Sequence, residues 1–252
     1  MVQLHAFTCG FLTLPTNMLL ESGIGVLTVP VPSYLITHPK GRVLFDSGLH
    51  AEIANEPHDY VGPVIAKFHG FHFHEGENIA AQLSRVGIEP AQINFVINSH
   101  LHFDHCGGNA QLPNADVVVQ KKELEHARSN GSDRGYLTSD WDTGQAIQAI
   151  DGEHDLFGDG SVVCIPTYGH TPGHQSLRVQ TEMNGEYVLT GDACYLRDTL
   201  EKMRLPGVVH DKVAFLEVLS RFRDMQARGA TIVYGHDPVF WKTLPKAPVR
   251  LG

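Results

Sequence analysis

This 252-residue sequence has no long hydrophobic run, no closely spaced cysteines and no block of like charge. No apolar stretch approaches the roughly 20 residues that span a bilayer, so the sequence predicts no membrane-spanning helix and no membrane partner. The formal net charge of −9 is spread along the chain, which argues against a nucleic-acid partner. The cysteines have no CxxC spacing, which argues against a disulfide framework or a zinc ribbon and predicts free thiols. They are Cys9, Cys106, Cys164 and Cys194.

The sequence also lacks the signals that would divide the chain or export it. Its N-terminal 14 residues have no basic segment ahead of the apolar residues and no small-residue cleavage site, so we expect a cytoplasmic protein without a signal peptide. There is no internal repeat and no Pro/Gly/Ser-rich linker. We therefore expect residues 1–252 to form a single domain.

The hydrophobic pattern alternates between strand-like and helix-like segments and predicts an α/β protein with a mixed sheet. In residues 212–228, Val213, Leu216, Leu219 and Phe222 form an apolar stripe at helical spacing. Residues 47–76 and 129–158 fit neither period well and are predicted to be loops or short insertions. The predicted strands are residues 29–37, 42–46, 94–98, 116–120, 161–166, 175–179, 186–190 and 231–234, and the predicted helices are residues 77–86, 121–127 and 212–228.

The sequence has 16 histidines, an unusually high number, and several of them lie at the spacing of metal ligands. The segment Ser99-His100-Leu101-His102-Phe103-Asp104-His105 directly follows a predicted strand. Residues two apart in an extended segment project to the same side, so His100, His102 and Asp104 can converge. His105 follows where Gly107 and Gly108 allow a turn without Cβ obstruction. The frequencies of His and Asp in this chain predict only about 0.004 chance matches to HxHxDH, which favours a metal site.

Four protein groups cannot complete two metal sites, so further ligands are expected where later strands end. His170 lies in a GHTPGH turn, Asp192 in Thr-Gly-Asp-Ala, and His236 in Tyr-Gly-His-Asp. Each lies beside glycine, just beyond a predicted strand, where open α/β sheets tend to have their sites. These three residues are therefore the candidates for completing the set.

The four motifs together resemble the metallo-β-lactamase superfamily over nearly the whole chain, and Asp46-Ser47-Gly48 is similar to its early Asp-x-Gly turn. The resemblance implies an αββα four-layer sandwich with two metal ions at one edge of the paired sheets. It implies that the first ion is held by His100, His102 and His170. It implies that Asp104, His105 and His236 hold the second ion, and that Asp192 bridges the two.

Within the superfamily, the sequence most closely resembles the N-acyl homoserine lactone lactonases and neighbours such as pyridoxolactonase. The resemblance rests on SHLHFDHCGGN at residues 99–109, on TPGHQSL at 171–177, and on Tyr195 three residues after Asp192. In that family the tyrosine points at the carbonyl of the ring ester. Tyr195 in this chain could instead be a half-buried residue at a sheet edge. A hydrolase of thioesters or phosphodiesters is the alternative enzyme, and a zinc-sequestering protein without catalysis is the alternative from another class.

An apolar pocket for the acyl group is expected beside the metals. It could be lined by Phe103, Tyr195, Phe68, Phe71 and Met18. The alternative for the phenylalanines is simple loop packing, and the interleaved histidines are expected at the surface or rim rather than on a metal. Other possible wall residues are Leu19, Phe73, Tyr136 and Trp141, and the interleaved histidines are His69, His72 and His74.

The predicted mechanism is hydrolysis of the lactone ester by a hydroxide that two divalent ions share. Tyr195 would donate a hydrogen bond to the carbonyl oxygen, and Asp104 or Asp192 would pass a proton to the leaving oxygen. The ligand set suits Zn²⁺, with Fe²⁺, Mn²⁺ and Co²⁺ as alternatives. The partner is a small-molecule lactone, and the resemblance is compatible with a homodimer.

Overall fold

The computed structural model describes residues 2–182 and 184–252. The strands are β1 (Gln3–Pro15), β2 (Val26–His38), β3 (Gly41–Phe45), β4 (Gly70–His72), β5 (Phe95–Ile97), β6 (Asp116–Gln120), β7 (Ile147–Ile150), β8 (His154–Asp155), β9 (Val162–Pro166), β10 (Gln175–Thr181), β11 (Gly185–Leu189) and β12 (Thr231–Val233). The helices are α1 (Thr16–Leu19), α2 (Pro57–Phe68), α3 (Ile79–Ser84), α4 (Phe103–Cys106), α5 (Lys121–Arg128), α6 (Thr138–Trp141), α7 (Arg197–Glu201), α8 (Lys212–Ala227) and α9 (Pro238–Thr243).

The strands form two sheets, both of mixed strand direction, where the hydrophobic pattern predicts a mixed sheet. The seven-stranded sheet has the order β4-β1-β2-β3-β5-β6-β7, and the five-stranded sheet has the order β12-β11-β10-β9-β8. Strands β1, β2 and β3 are antiparallel, whereas β3, β5, β6 and β7 run parallel. In the second sheet only the β11–β12 pair is parallel. The carboxyl ends of β3, β5 and β6 therefore lie at one edge of the first sheet.

Apolar side chains from both sheets share one core. Phe45 and Ile97 of the first sheet pack in the same cluster as Leu177 and Leu189 of the second. The outer face of the first sheet is covered by residues of α2 and α3, and the outer face of the second by α8. The layers therefore follow the order helix, sheet, sheet, helix, which confirms the αββα sandwich.

Several parts of the chain are more regular than the sequence predicts. Within residues 129–158, whose pattern predicts loops or short insertions, the structure has α6, β7 and β8. Residues 3–15 form the long strand β1, and residues 57–68 lie within α2 although their pattern predicts a loop. Helix α2 is interrupted at Gly62, which has a φ of 79° and is followed in the sequence by Pro63. That break hides the helical period, because Gly and Pro end a helix in most sequences. Among the described residues, no helix is long and apolar enough to cross a membrane.

The stripe predicted for the longest helix is wrong in half of its members. Leu219 and Phe222 are buried, but Val213 is 68% exposed and Leu216 is 37% exposed. The buried face of α8 instead includes Phe215, Val218 and Met225. Both sets have helical spacing, so periodicity alone does not separate them. The second sheet decides which face is covered.

Candidate metal centre

The HxHxDH segment lies in the loop that begins where β5 ends, and its last part forms the short helix α4. Gly107 and Gly108 are needed here for close packing. Their φ angles of −59° and −87° are ordinary. A Cβ on Gly107 would lie 2.4 Å from the backbone nitrogen of His50, and one on Gly108 would lie 2.4 Å from the carbonyl oxygen of Ser47. The turn is thus pressed against the Asp46-Ser47-Gly48 loop.

The other three candidate ligands lie where the sequence predicts, at the ends of strands in the second sheet. His170 is in the turn between β9 and β10, Asp192 follows β11, and His236 follows β12. All three are at least nine-tenths buried. The two sheets meet at this edge, so residues far apart in sequence lie within a few ångströms of one another.

The first group of ligands brings three imidazole rings together around a small space. His100 Nε2 lies 2.9 Å from His102 Nδ1 and 3.2 Å from His170 Nε2. His170 Nε2 lies 3.3 Å from His102 Nδ1. Three nitrogen atoms this close cannot all be satisfied by hydrogen bonds to one another, whereas their lone pairs together suit a cation.

The second group contains Asp104, His105 and His236, whose ligand atoms also lie within 4.8 Å of one another. An Asp104 carboxylate oxygen lies 3.6 Å from His105 Nε2 and 3.8 Å from His236 Nε2. The two groups are adjacent rather than fused. The candidate ligands named from the sequence thus lie in two adjacent groups.

The carboxylate of Asp192 lies between the two groups. Its Oδ2 is 3.3 Å from His170 Nε2 and 3.8 Å from His100 Nε2. Its Oδ1 is 3.0 Å from His236 Nε2 and 3.2 Å from His105 Nε2. One oxygen therefore faces each group, which is the arrangement that a bridging carboxylate requires.

Two buried atoms of this cluster favour metal binding. His105 Nε2 and Asp192 Oδ1 have no hydrogen-bond partner of acceptable geometry, although they lie 3.2 Å apart. A buried polar atom without a partner costs on the order of 1–3 kcal/mol, so it requires an explanation. Both are lone-pair donors that suit a divalent cation, and the residues present fit two such ions.

Each buried ligand has a second partner that fixes its orientation. His105 Nδ1 donates to Asp46 at 2.8 Å, and His236 Nδ1 donates to the Pro30 carbonyl at 2.7 Å. These bonds keep a proton on Nδ1 of each ring and turn Nε2 inward, where its lone pair would be available to a cation. Ring tautomers fixed in this way are typical of metal-ligating histidines. The backbone of Asp192 is held by His174, because its N–H donates to His174 Nε2 at 3.1 Å.

The two groups differ in charge when no cation is considered. Burial holds the pKa of His100 and His170 well below the ordinary value and lowers that of His102 to about 4, so these rings are neutral. Burial also acts on His105, but the carboxylates of Asp192, Asp104 and Asp46 raise its pKa well above 6.5. Cations in the second group would take over the compensation of those carboxylates, with release of protons.

The ligand cluster lies at the floor of a cavity of about 300 Å³, a volume at the lower end for ligand sites. Most of its wall is apolar. Of the residues predicted to line it, Phe103, Tyr195, Phe68 and Met18 do so, as does Leu19. Phe71 packs against Phe103 with ring centroids 6.1 Å apart, behind the wall. The remaining lining includes Leu12, Leu14, Val29, Val64, Ile65 and Val208.

Three of the candidate wall residues lie elsewhere. Tyr136 and Trp141 are buried in a separate cluster with Leu124 and Val119. Phe73 packs in the core beside Gly10. Their aromatic side chains would suit an apolar pocket wall, but these three residues pack against other parts of the core instead of the cavity. The four cysteines are free and buried, as the sequence predicts.

The histidines among the phenylalanines do not join the ligand cluster. His69 lines the cavity mouth, and His72 Nε2 is 2.8 Å from Thr13 Oγ1. Tyr195 is buried, and its hydroxyl lies 3.0 Å from His170 Nδ1 at the cavity floor. That contact differs from the half-buried sheet-edge position considered as the alternative for this residue.

Two buried carboxylates near the ligands were not recognised as functional from the sequence. Asp46 accepts hydrogen bonds from the Ser99 backbone at 2.7 Å and from its hydroxyl at 2.9 Å. Glu123 is fully buried although it lies in the first turn of α5. The Asp-x-Gly resemblance was a signal for Asp46. No local pattern distinguishes Glu123 from its exposed neighbour Glu125.

Comparisons with known proteins agree with this architecture. The family model of the metallo-beta-lactamase superfamily matches residues 27–236. The chain is 36% identical over 241 residues to the N-acyl homoserine lactonase AttM of Azorhizobium caulinodans, with 92% of this chain and 91% of that protein covered. It is 31% identical to the N-acyl homoserine lactonase AiiA of Bacillus thuringiensis subsp. kurstaki, with 84% and 83% covered.

Solved structures give the same result. A structure of an N-acyl homoserine lactone hydrolase, with the product N-hexanoyl-L-homoserine bound at its catalytic metal centre, superposes with a TM-score of 0.90. The two chains are 28% identical, and the superposition covers 99% of this chain and 98% of the other. The chain therefore belongs to the metallo-beta-lactamase superfamily and, within it, to the family of the N-acyl homoserine lactonases.

Proposed function

We propose that this protein hydrolyses the ester bond of N-acyl homoserine lactones with two divalent metal ions. The observation that carries the proposal is the position of Asp192, whose two oxygens face two separate ligand groups at the floor of an apolar cavity. The names of its relatives support the choice of a lactone, and the bound product of the solved relative supports it further. A zinc-sequestering protein would need neither the cavity nor the tyrosine.

In this proposal His100, His102 and His170 would hold one ion, and Asp104, His105 and His236 would hold the other. Asp192, with one oxygen facing each group, would contribute a ligand atom to both. The set of imidazole and carboxylate ligands suits zinc, and also iron, manganese and cobalt in their divalent states. When bound, such a pair would lower the pKa of water to about 7 and supply a nucleophile at neutral pH.

Tyr195 is proposed to donate a hydrogen bond to the carbonyl oxygen of the lactone. If His170 binds an ion through Nε2, its Nδ1 carries the proton and donates to the Tyr195 oxygen, 3.0 Å away. The hydroxyl of Tyr195 is then left to donate, to the Asp192 carboxylate with which it also bonds or to a carbonyl oxygen in the cavity. Burial and the carboxylates of Asp192 and Asp104 hold the pKa of Tyr195 well above 10, so the hydroxyl remains a donor at neutral pH.

Asp104 is the proposed carrier of the proton that the leaving ring oxygen needs. It is more exposed than the other carboxylate of the centre, with 13% of its side chain accessible against 6% for Asp192. It lies on the cavity wall, where a ring-opened product would leave its new hydroxyl group. Asp192 faces two histidine groups and is therefore less free to exchange a proton.

The apolar wall is proposed to hold the acyl chain. Among the lining residues Phe103 is buried and Met18 is partly buried, whereas Phe68 and Val64 are exposed. Burial of apolar surface contributes about 25 cal/mol per Å², so a chain that reaches this wall gains affinity with each methylene. We therefore expect N-acyl chains to be preferred over unsubstituted homoserine lactone.

Three further proposals follow from the same chain. Residues 1–252 form one hydrolase domain, supported by the core that both sheets share. The protein acts in the cytoplasm, supported by its four free and buried thiols, which a reducing compartment maintains. A homodimer stays a prediction.

The test is a substrate panel on protein of measured metal content. Hydrolysis of N-hexanoyl and N-decanoyl homoserine lactone, a thioester and a phosphodiester would be followed at equal enzyme concentration. We expect the lactones to be hydrolysed at least 100-fold faster, as kcat/KM, than the other two classes. A thioester or phosphodiester that is hydrolysed faster than every lactone would overturn the substrate assignment and leave the metal centre in place.

A further inference from the structure

Glu123 is buried in a place where glutamate is rarely found. It is the third residue of α5, near the amino end of the helix, where a glutamate side chain is usually exposed or bonds the first turn. Its side chain is fully buried. All of the hydrogen bonds described for its carboxylate come from residues outside α5. The side chain therefore joins other segments rather than its own helix.

The donors come from both loops that supply the first group of ligands. The backbone N–H of Leu101, between His100 and His102, donates to Oε1 at 3.1 Å. The hydroxyl of Thr171, the residue after His170, donates to Oε2 at 2.6 Å. The backbone N–H of Gly173 donates as well, and the Tyr136 hydroxyl donates to Oε1 at 3.0 Å. One carboxylate thus bonds both sides of the first group.

The backbone around Glu123 is packed as closely as its side chain. A Cβ on Gly173 would lie 2.0 Å from the backbone nitrogen of Glu123 and 2.5 Å from its Cα. Only glycine permits this approach, since real Cβ atoms do not come within 3.0 Å of another heavy atom. The turn that carries His170 is therefore fixed against α5 at the position of the carboxylate.

The second group has a different support. Asp46 holds His105, and the Pro30 carbonyl holds His236. Among the hydrogen bonds described for Glu123, none reaches a residue of the second group or its partners. The two groups share Asp192, and they also share Ser99, whose hydroxyl donates to Asp46 at 2.9 Å and lies 3.0 Å from His100 Nδ1. The hydrogen bonds of Glu123, in contrast, reach only Tyr136 and the loops that carry His100, His102 and His170.

We propose that Glu123 is a positioning residue for the first metal site, fixing the distance between the His100–His102 loop and the His170 turn. It touches neither substrate nor ion and acts through Leu101, Thr171 and Gly173. Glutamine has nearly the same shape but replaces one carboxylate oxygen by an NH₂ group, so at least one donor loses its acceptor. The inference rests on the proposed ligand set.

Its test compares Glu123→Gln in two backgrounds that each keep one group of ligands. His236→Ala retains the first group, and His170→Ala retains the second. Zinc affinity of the apoproteins would be measured by competition with a chromophoric chelator. In the His236→Ala background we expect a loss of 10-fold or more, the range found when partners of metal ligands are removed. In the His170→Ala background we expect a change of less than 3-fold.

Glu125→Gln, an exposed change on the same helix, is the matched control and should leave both affinities unaltered. Thr171→Val removes the 2.6 Å bond to Glu123 and provides a second variant if Glu123→Gln does not fold. It should weaken zinc binding in the His236→Ala background alone. Equal losses in both backgrounds, or no loss in either, would overturn the inference. Wild-type protein that binds no zinc would instead overturn the ligand set itself.

Discussion

The ligand cluster and the wall of the cavity adjoin each other but are built in different ways. The ligands lie in loops at the ends of strands, most are nearly inaccessible, and the rings of His105 and His236 are fixed by a second hydrogen bond. The wall combines β1, α1, β2 and α2, and some of its residues are open to solvent, such as Val64 at 47% and Phe68 at 46%. The ligand cluster works only if its ligand atoms keep one set of distances and directions. The cavity wall needs only a suitable shape and an apolar surface.

The largest effect is expected from Asp192→Asn, which removes a charge that both ligand groups use. Each group would lose a negatively charged ligand, and the neighbouring histidines would lose the carboxylate that compensates them. We expect turnover to fall by more than the approximately 10²–10³-fold expected for loss of a single transition-state donor, with less than two metal ions bound per chain. Steady-state kinetics and elemental analysis of the same preparation measure this. Full metal content with full turnover would show that Asp192 bridges nothing.

Tyr195→Phe should affect the reaction and leave the metal centre intact. The variant keeps the ring and removes the hydroxyl that lies 3.0 Å from His170 Nδ1. Loss of one donor to a developing oxyanion lowers kcat by about 10²–10³-fold, so we expect a decrease of 10-fold at least. The control is the metal content, which should equal that of the wild type. A kcat within 3-fold of wild type would mean that Tyr195 only packs at the cavity floor.

Asp46→Asn separates the support of a ligand from the ligand itself. The amide cannot accept from Ser99 and from His105 Nδ1 as the carboxylate does. We expect metal affinity to fall by about 10–100-fold, mainly at the second site. Activity should return at high metal concentration, which would not happen for Asp192→Asn. Unchanged affinity in a chelator titration would contradict this role.

Phe68→Ala should change the cavity wall without changing the chemistry. Because Phe68 is 46% exposed, its contribution to binding of a long acyl chain is on the order of 1 kcal/mol. We expect KM for N-decanoyl homoserine lactone to rise about 5-fold, with kcat and the kinetics on N-butanoyl homoserine lactone nearly unaltered. Val249→Ala, at an exposed position outside the cavity, is the matched control. Equal changes for both substrates would place the acyl chain elsewhere.

The smallest effect concerns stability behind the wall. Tyr60 of α2 donates to the buried carboxylate of Asp140, whose other oxygen has no partner. Burial raises the pKa of Asp140 from 3.8 to about 7. The native state therefore keeps a proton between about pH 4 and pH 7 that the unfolded chain releases, so stability falls as pH rises through this window.

Asp140→Asn should remove that pH dependence. At pH 8 the variant avoids a buried charge while an oxygen remains to accept from Tyr60. At pH 8 we expect the Tm of the variant to exceed that of the wild type by about 2–4 °C for each kcal/mol of unfolding free energy gained. At pH 5 we expect the Tm to change little. Thermal unfolding at the two pH values measures the difference. A variant that is less stable at pH 8 would show that Asp140 is stabilised as an anion.

The contrast between the two regions also explains what the sequence could predict. Each ligand motif is a short continuous segment of the sequence: HxHxDH, GHTPGH, GDA and GHD. The seven candidate ligands could therefore be named from local patterns, and they lie together in the structure. Residues of the wall have no fixed motif. Three aromatic candidates for the wall pack elsewhere, namely Tyr136, Trp141 and Phe73. Tertiary contacts, which the local sequence does not reveal, decide which aromatic side chain faces the cavity.

The same reasoning applies to the supporting residues and to the helices. Glu123 and Glu125 are equivalent by local pattern, and only the turn around Gly173 decides which of them is buried. Helix α2 escaped detection because Gly62 and Pro63 interrupt its period. Strands of the central sheets were predicted because burial on both faces gives continuous apolar segments.

The most direct test of the account is lactone hydrolysis as a function of metal content. Apoprotein would be titrated with zinc, and ring opening of N-hexanoyl homoserine lactone would be followed by a pH indicator and by mass spectrometry of the product. We expect activity to rise to a maximum at two ions per chain and to yield the ring-opened acid. Protein with two ions per chain and no lactone turnover would contradict it.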